Sequence, residues 1–340
     1  MPHKKQFQPH RHKGRFYNNA DEPNRSLTWP SLMMICEWYW NSLRRGSIDS
    51  TVWYAPEAPF ERSNELAITW IGHSTFLIQA QNINILTDPV FGNLPFFRRQ
   101  IAPGLPLQDV PSIDYVLISH NHRDHMDGAA LTFFKHHPEC TFLVPLGDGE
   151  WFRTRGFKKV REYTWWEREQ FGNLEISFLP AEHWSQRGLL DYNTSLWGSW
   201  MMALGGNTIY FAGDTAYHSH FTAISKEFPT ITHALMPIGP CEPRQWMQKT
   251  HMNAEESVQA FIDLNAQFFL PMHWGTFNFG TDHHLAPYQR LLASWKREKF
   301  PDERLYNLKV GQRSLFPTIQ SSVEPTVQKK SSIDRIEGSY

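Results

Sequence analysis

The sequence predicts an α/β protein built from many short strands with helices between them. Short runs of β-branched and aromatic residues recur along the chain and are separated by Gly, Asn, Asp and Pro turn signals. Between these runs, apolar residues return every three to four positions, as on one face of a helix. Of the 340 residues, 41% are hydrophobic and 14% aromatic, and no Pro/Gly/Ser-rich linker divides the middle of the chain. We therefore expect one large main domain.

The predicted elements follow one another in the order of the chain. Strands are expected at 65–71, 75–79, 83–87, 114–119, 141–145, 174–181, 195–204, 207–212, 232–238, 267–272 and 307–311. Helices are expected at 32–44, 128–137, 147–154, 216–227, 254–264 and 285–298. The pattern by itself indicates the α/β class and leaves the order of the strands in their sheets open.

The two ends of the chain differ in composition from its middle. Residues 1–28 are rich in His, Lys, Arg and Asn, and we expect a flexible arm there whose histidines are solvated. Residues 29–64 are expected to form an extension that packs on the core or faces a membrane, and 65–320 the domain that carries the chemistry. The polar segment 321–340 is expected to be a flexible tail.

Charge, cysteine content and hydropathy exclude several classes of protein. The formal net charge is −1, so the whole chain has no electrostatic footprint for nucleic acid, and we expect no such partner. Cys36, Cys140 and Cys241 are too few and too scattered for a disulfide framework or a cysteine zinc site. Neither a signal peptide nor an apolar run of the ~18 residues that a spanning helix needs is visible. We expect an intracellular protein, soluble or peripherally bound to a membrane.

The most informative segment is Ser119–His125, which directly follows an apolar, strand-like run. Residues two apart can point the same way in an extended segment, so His120 and His122 can converge on one cation. Asp124 and His125 can then reach a second cation. A His-rich surface turn is the plain alternative, but the spacing favours a site for two metal ions.

Further candidate ligands lie downstream, each directly after a predicted strand. They are His183, Asp214 and His273. Each alone has an ordinary explanation, as a turn residue or as a hydrogen-bonded histidine. Together they supply the convergent nitrogen and oxygen donors that a metal site requires, which makes the metal hypothesis much stronger.

The order H-x-H-x-D-H, then His, then Gly-Asp, then His resembles the ligand pattern of the metallo-β-lactamase superfamily. The flanking segments resemble more specifically the N-acyl-phosphatidylethanolamine-hydrolysing phospholipase D family. The segments that carry this closer resemblance are Thr69–Ser74, Leu86–Pro89, Leu117–His122, Leu196–Trp200, Phe211–Thr215, Pro237–Gly239, Glu242–Arg244 and His273–Phe277. The resemblance implies a four-layer αββα sandwich of two mixed sheets with outer helices.

Matched positions in the superfamily pattern imply two zinc ions per chain, although other divalent metals tolerate similar donors. One zinc would be held by His120, His122 and His183, the other by Asp124, His125 and His273, with Asp214 between the two. The resemblance also implies catalytic roles for Asp124 and for His251, which would lie near a substrate phosphate. As a lone histidine before a helix, His251 is otherwise a neighbour of an N-cap. His73 and Asp88 match no ligand position and are expected only to lie near the site.

The resemblance implies a zinc-dependent phosphoric diester hydrolase of phospholipase D type. It would hydrolyse N-acyl-phosphatidylethanolamine or a related glycerophospholipid to phosphatidic acid and an N-acylethanolamine, with a metal-bridging hydroxide as nucleophile. The alternative among enzymes is a metal-dependent lactonase or other ester hydrolase of the same superfamily. The alternative of another class is a non-catalytic, metal-binding protein that is recruited to membranes.

Two apolar segments are candidates for contact with a phospholipid substrate or its membrane. Phe96 and Phe97, followed by Arg98 and Arg99, form an apolar loop with a basic edge. The segment Trp29–Trp40 is aromatic and compatible with a helix, but core packing or a homodimer contact explains such a helix at least as well.

Two arginines near the motifs have open interpretations. Arg244 could bind an anionic substrate in bidentate fashion, or it could pair with a nearby glutamate in a turn. Arg123 stands where the family pattern has an aromatic residue, which places an extra cation beside the metal ligands and bears on headgroup preference.

Overall fold

The computed structural model describes residues 7–18, 40 and 49–316. The strands are β1 (His10–His12), β2 (Arg15–Tyr17), β3 (Leu66–Gly72), β4 (Thr75–Ala80), β5 (Ile83–Thr87), β6 (Tyr115–Leu117), β7 (Thr141–Pro145), β8 (Val160–Tyr163), β9 (Arg168–Phe171), β10 (Leu174–Leu179), β11 (Ser199–Leu204), β12 (Asn207–Phe211), β13 (His233–Pro237), β14 (Phe268–Met272) and β15 (Arg313–Phe316). The α-helices are α1 (Ser50–Trp53), α2 (Gly128–Phe134), α3 (Gly149–Thr154), α4 (His220–Glu227), α5 (Arg244–Met247), α6 (Ala254–Leu264) and α7 (Ala286–Arg297).

Two large mixed sheets form the centre of the fold. The first sheet has the strand order β15-β3-β4-β5-β6-β7-β8 and the second β14-β13-β12-β11-β10-β9. Strands β5 to β8 of the first sheet pair in parallel, as do β12, β13 and β14 of the second. Strands covered on both faces read as continuous apolar runs, and β3 is accordingly buried at every position.

The two sheets pack face to face and are covered by helices on their outer faces. A large apolar cluster joins residues of the first sheet, such as Ile68, to residues of the second, such as Met202. A separate cluster packs α2 and α3 on the other face of the first sheet. On the outer face of the second sheet, the ring of Phe269 lies 5.4 Å from Phe261 of α6 and 5.7 Å from Trp295 of α7. These four layers confirm the predicted fold class.

The main differences from the predicted elements lie at sheet edges. Strands β8 and β9 were not predicted, because each is an edge strand with a polar sequence that lacks an apolar run. The last strand is β15 rather than 307–311, where Val310 makes only an isolated bridge to Tyr54. The structure also contains the short helix α5, which the pattern did not indicate.

The N-terminal segment differs from the flexible arm that its composition predicts. Residues 10–17 form the hairpin β1–β2, and Phe16 is only 2% exposed within the core cluster. The backbone N–H of Phe16 donates to the carbonyl of Asn193, and the Asn193 side chain donates back to the carbonyl of Phe16. These long-range contacts order a segment whose local sequence favours no packed structure.

Several predictions fall outside the described residues. They include most of the arm 1–28, the helix at 32–44 with its Trp29–Trp40 segment apart from Trp40, Cys36 and the tail 321–340. Within the described residues, Cys140 and Cys241 are buried free thiols. None of the described helices has the length and apolar character needed to cross a bilayer.

Candidate metal centre

The candidate ligands meet at one edge of the sandwich, where strands of both sheets end. His73, Asp88 and the segment His120–His125 follow β3, β5 and β6, whereas His183, Asp214 and His273 follow β10, β12 and β14. The carboxyl ends of these strands therefore face the same space. Ligands of α/β proteins commonly bind at this end of the strands.

The first set of donors is His120, His122 and His183. The Nε2 atom of His120 lies 2.8 Å from Nδ1 of His122, which in turn lies 3.3 Å from Nε2 of His183. The three nitrogens belong to one group of potential metal-binding atoms. The predicted set is thus brought together in space.

The second set contains the predicted Asp124, His125 and His273, together with His73. The Oδ2 atom of Asp124 lies 3.3 Å from Nε2 of His125 and 3.6 Å from Nε2 of His273. The Nε2 atom of His73 is closer still, at 3.0 Å from the same oxygen. His73 is therefore a fourth potential donor on this side, one that the superfamily pattern did not assign.

Asp214 lies between the two sets. Its Oδ2 atom is 3.0 Å from Nε2 of His273, 3.2 Å from Nε2 of His125 and 3.9 Å from Nε2 of His183. The preceding Gly213 has φ +59°, and a Cβ there would lie 2.6 Å from Cβ of Ser119. Glycine thus lets the loop from the second sheet approach the loop from the first.

Hydrogen bonds on the outer side of the rings of His125, His183 and His273 fix their orientation. The Nδ1 atom of His125 lies 2.7 Å from Oδ2 of Asp88, which also accepts from the hydroxyl of Ser119. On the second sheet, Nδ1 of His183 and Nδ1 of His273 face the backbone carbonyls of Thr250 and Gly239. These contacts leave the Nε2 atoms directed inward, which is how outer partners orient metal-bound histidines.

The electrostatics of the cluster suit cations. Burial opposes ionisation of Asp124 and Asp214, but the charged forms of His125 and His273 outweigh it and hold the pKa of both carboxyls well below the usual range. Burial, reinforced by neighbouring imidazoles, lowers the pKa of His120 well below its ordinary value, so this ring is a neutral donor. Two buried carboxylates and several imidazoles, with no thiolate among them, form a donor set that suits divalent metal ions.

Several of the potential metal-binding atoms are buried without a hydrogen bond, which supports the fit of this donor set to metal ions. Oδ1 of Asp214 and the Nε2 atoms of His125 and His273 are buried without a hydrogen bond. His73, Asp88 and His273 also have positive φ angles of 55°, 34° and 60°. Backbone in this region is uncommon for residues other than glycine and tends to occur at functional sites.

His251 and Arg244 occupy the connection before α6. The Nδ1 atom of His251 lies 3.6 Å from Oδ2 of Asp214, and burial lowers the pKa of His251 to about 4. Arg244 donates from Nη1 to the carbonyl of His251 at 3.0 Å and pairs with Glu256. Of the two interpretations of Arg244, the structure shows the pairing with a glutamate, and the bond to His251 also holds this connection.

The loop around residues 96–99 is only partly the surface that the sequence suggests. Phe96 is 75% exposed and Arg98 is exposed, whereas Phe97 packs against Phe279 with ring centroids 5.0 Å apart. Arg99 turns inward, because its guanidinium donates to the carbonyls of Val90 and Ile101. The prediction that Arg99 forms a basic outer edge is therefore wrong, since its donors serve the loop's own backbone.

Besides His73, two more residues with roles in the site were not assigned to it by sequence. Asp88 binds the backbone N–H of Ser119 and the ring of His125, and its position after a strand was the available signal. Arg187 donates to the carbonyls of Asn121 and Met126, on either side of the His122–His125 segment. Nothing in the local pattern around Arg187 indicated this contact, which joins two loops distant in sequence.

Comparison with known proteins agrees with this geometry. A family model described as a Beta-lactamase superfamily domain matches residues 83–274, more than half of the chain. The N-acyl-phosphatidylethanolamine-hydrolyzing phospholipase D 1 of Caenorhabditis elegans is 31% identical over 272 residues, covering 74% of this chain and 76% of that protein. The mitochondrial N-acyl-phosphatidylethanolamine-hydrolyzing phospholipase D of Saccharomyces cerevisiae is 36% identical over 264 residues, covering 73% of this chain and 55% of that protein.

Solved structures share the fold. Igni18, a metallo hydrolase from the archaeon Ignicoccus hospitalis, matches with a TM-score of 0.59 at 22% identity, covering 74% of this chain and 98% of that one. A possible metal-dependent hydrolase from Veillonella parvula matches with a TM-score of 0.61 at 16% identity, covering 74% of this chain and all of that one. With the converging donors, the superfamily match and these relatives, the chain belongs to the metallo-β-lactamase superfamily of metal-dependent hydrolases.

Proposed function

We propose that the protein is a two-zinc phosphodiesterase of phospholipase D type. Its substrate would be N-acyl-phosphatidylethanolamine or a related glycerophospholipid, and its products phosphatidic acid and an N-acylethanolamine. The observation that carries the proposal is the meeting of two donor sets at Asp214, in a chain whose relatives from worm and yeast bear that activity in their names.

The donor set favours zinc as the native metal. His120, His122 and His183 would hold one ion, Asp124, His125 and His273 the other, and Asp214 would serve both. Imidazole and carboxylate donors suit zinc, although iron and manganese accept similar ligands. When bound, a pair of such cations lowers the pKa of water toward neutrality and neutralises negative charge on a phosphoryl group.

His251 has the position and protonation state to act on the substrate. It lies beside Asp214, and with a pKa of about 4 its ring is neutral at pH 7. A neutral imidazole can donate one hydrogen bond, and Nε2, the ring nitrogen other than the one beside Asp214, would donate it to a phosphoryl oxygen. Arg244 acts through His251 by holding its backbone carbonyl, which fixes where the ring sits.

The phospholipid substrate implies contact with a membrane surface. Phe96, which is 75% exposed, would dip into the headgroup boundary, while Phe97 and Phe279 would line the way to the donors. The ring of Phe279 lies 5.6 Å from that of His73 and 6.0 Å from that of His273. An apolar path would thus run from the loop tip to the second donor set.

The test measures metal content and substrate preference on the same purified chain. Elemental analysis should find about two divalent ions per chain, mostly zinc. Vesicles that contain N-acyl-phosphatidylethanolamine should release N-acylethanolamine and phosphatidic acid, identified by mass spectrometry, and a panel of lactones and thioesters should be turned over poorly.

Each other outcome points to a different function. Rapid lactone hydrolysis with no lipid cleavage would replace the proposal with the esterase alternative. Two bound metals with no turnover of any substrate would support the non-catalytic alternative. Less than one metal ion in active, unchelated protein would overturn the two-metal assignment itself.

A further inference from the structure

The loop between His183 and β11 presents two leucines to solvent. Leu189 is 94% exposed and Leu190 88%, the highest values for large apolar side chains in the described part of the chain. Hydrogen bonds nevertheless fix the conformation of this loop, because the carboxylate of Asp191 accepts from the backbone N–H groups of Arg187 and Gly188. A defined turn therefore holds both leucines outward.

Arginine side chains surround the base of this turn. Arg15 of the N-terminal hairpin donates to the carbonyls of Tyr192 and Leu190. Arg123, from the segment that carries the metal ligands, donates to the carbonyl of Arg187 at 3.1 Å and is itself exposed. Bonds to backbone carbonyls leave the positive charges of Arg15 and Arg123 in place. The result is an apolar tip with a cationic base.

The same loop begins at the candidate metal centre. The ring of Trp184 lies 4.2 Å from that of His122 and 5.8 Å from that of Tyr192. The leucine turn therefore lies on the side of the first donor set, whereas the Phe96 loop reaches the second set through Phe279. The two apolar tips are thus connected to different donor sets.

We propose that Leu189 and Leu190 insert into the surface of an anionic phospholipid bilayer, with Arg15 and Arg123 at the level of the headgroups. An apolar tip gains by leaving water for the acyl boundary, and cations near it are attracted by anionic lipid. The assignment rests on the proposed function in that it takes the substrate to be held in a bilayer. Docking here brings the first donor set to the membrane surface.

The test compares vesicle binding by the metal-loaded full chain and its variants. The vesicles contain phosphatidylcholine with or without phosphatidylglycerol and lack N-acyl-phosphatidylethanolamine, so that binding is measured without turnover of the proposed substrate. The double variant Leu189→Ser/Leu190→Ser should bind at least about tenfold more weakly, since two apolar side chains no longer enter the bilayer. Leu189→Trp, which adds apolar area at the same place, should bind more tightly.

Controls separate this inference from the proposed function. Leu315→Ser, at a half-exposed leucine of β15, should bind within about twofold of the wild type. Turnover of a short, water-soluble phosphodiester should be unchanged in the double serine variant. If the wild type binds vesicles through the leucines but cleaves no phosphodiester, the inference stands and the proposed function fails.

Three results would overturn the inference. The first is vesicle binding that is unchanged in the double serine variant. The second is an equal loss of turnover on the soluble phosphodiester, which would place the leucines in the substrate site instead. The third is a wild-type dimer that becomes a monomer on Leu189→Ser/Leu190→Ser, which would identify a second copy of the chain as the occupant.

Discussion

The two sheets contribute to the candidate metal centre in different ways. The first sheet supplies His120, His122, Asp124 and His125 from a single loop, while the second supplies single residues from three separate loops. The outer partners differ as well. The ring of His125 is held by the side chain of Asp88, but the second-sheet histidines are held by backbone carbonyls. Replacing a side chain that is not itself a donor should therefore disturb the first-sheet donors more than the second-sheet donors.

Asp214 should give the largest effect, because it is the residue that links both halves. Asp214→Asn removes the carboxylate shared by His125, His183 and His273, so we expect a loss of kcat/KM of at least about a thousandfold. Elemental analysis of the same sample should show a loss of bound metal. Asp109→Asn, at an exposed carboxylate outside the groups of potential donors, is the matched control. Near-normal turnover with two metals retained would remove Asp214 from the site.

His251 lies beside Asp214 yet belongs to neither donor set, so its replacement should separate chemistry from metal binding. We expect His251→Gln to lower kcat by about a hundredfold, as for loss of a group that assists proton transfer or charge stabilisation. Metal content should stay unchanged. Loss of metal from this variant would instead make His251 a ligand, as its grouping with His183 and Asp214 would also allow.

Replacing Asp88 tests directly whether a histidine held by a side chain is more sensitive to mutation than one held by a backbone carbonyl. Asp88→Asn should weaken metal binding by about 10- to 100-fold, because it removes the carboxylate that orients His125. Thr250→Val keeps the carbonyl that faces His183 and should leave metal affinity nearly unchanged. Competition with a chelator of known affinity measures both variants. Equal losses in the two would contradict the comparison.

Replacements in the Phe96 loop, on the side of the second donor set, should have a smaller effect on turnover. Phe96→Ser should reduce turnover of lipid in vesicles several-fold while sparing a soluble phosphodiester, because only the interfacial step loses apolar burial. Phe97→Ser should reduce turnover of both substrates, since Phe97 packs against Phe279 next to the donors. If both variants affect the two substrates alike, Phe96 also belongs to the internal packing.

The smallest effect, on thermal stability, is expected for Asp148, which contacts the loop His120–His125 through Asn121. Burial raises the pKa of Asp148 to about 7, and its Oδ1 accepts from the Asn121 side chain at 3.0 Å. The folded state therefore binds more protons than the unfolded state between the ordinary pKa near 4 and about 7, so this group makes stability fall as pH rises through that range. Asp148→Asn should lessen the fall in Tm by a few degrees, measured between pH 4 and pH 8. An identical pH profile in variant and wild type would contradict this assignment.

Most residues of the candidate site could be identified from sequence because they follow apolar runs. The spacing in His120–His125 and the positions of His183, Asp214 and His273 after predicted strands all depend on local pattern, and each lies in the cluster. The resemblance to a known superfamily then supplied the grouping of ligands, which spacing alone does not give. The α/β class likewise follows from residue periodicity, which reports the burial of one element at a time.

Only the tertiary structure decided which parts of the chain meet. His73 and Asp88 join the site because β3 and β5 end at the same edge as β6, and strand order in a sheet leaves no trace in local periodicity. The inward turn of Arg99 and the outward leucines at 189 and 190 depend on contacts between distant segments. Local sequence determines the tendency of a segment to be buried or exposed, whereas long-range packing determines which neighbours it finds.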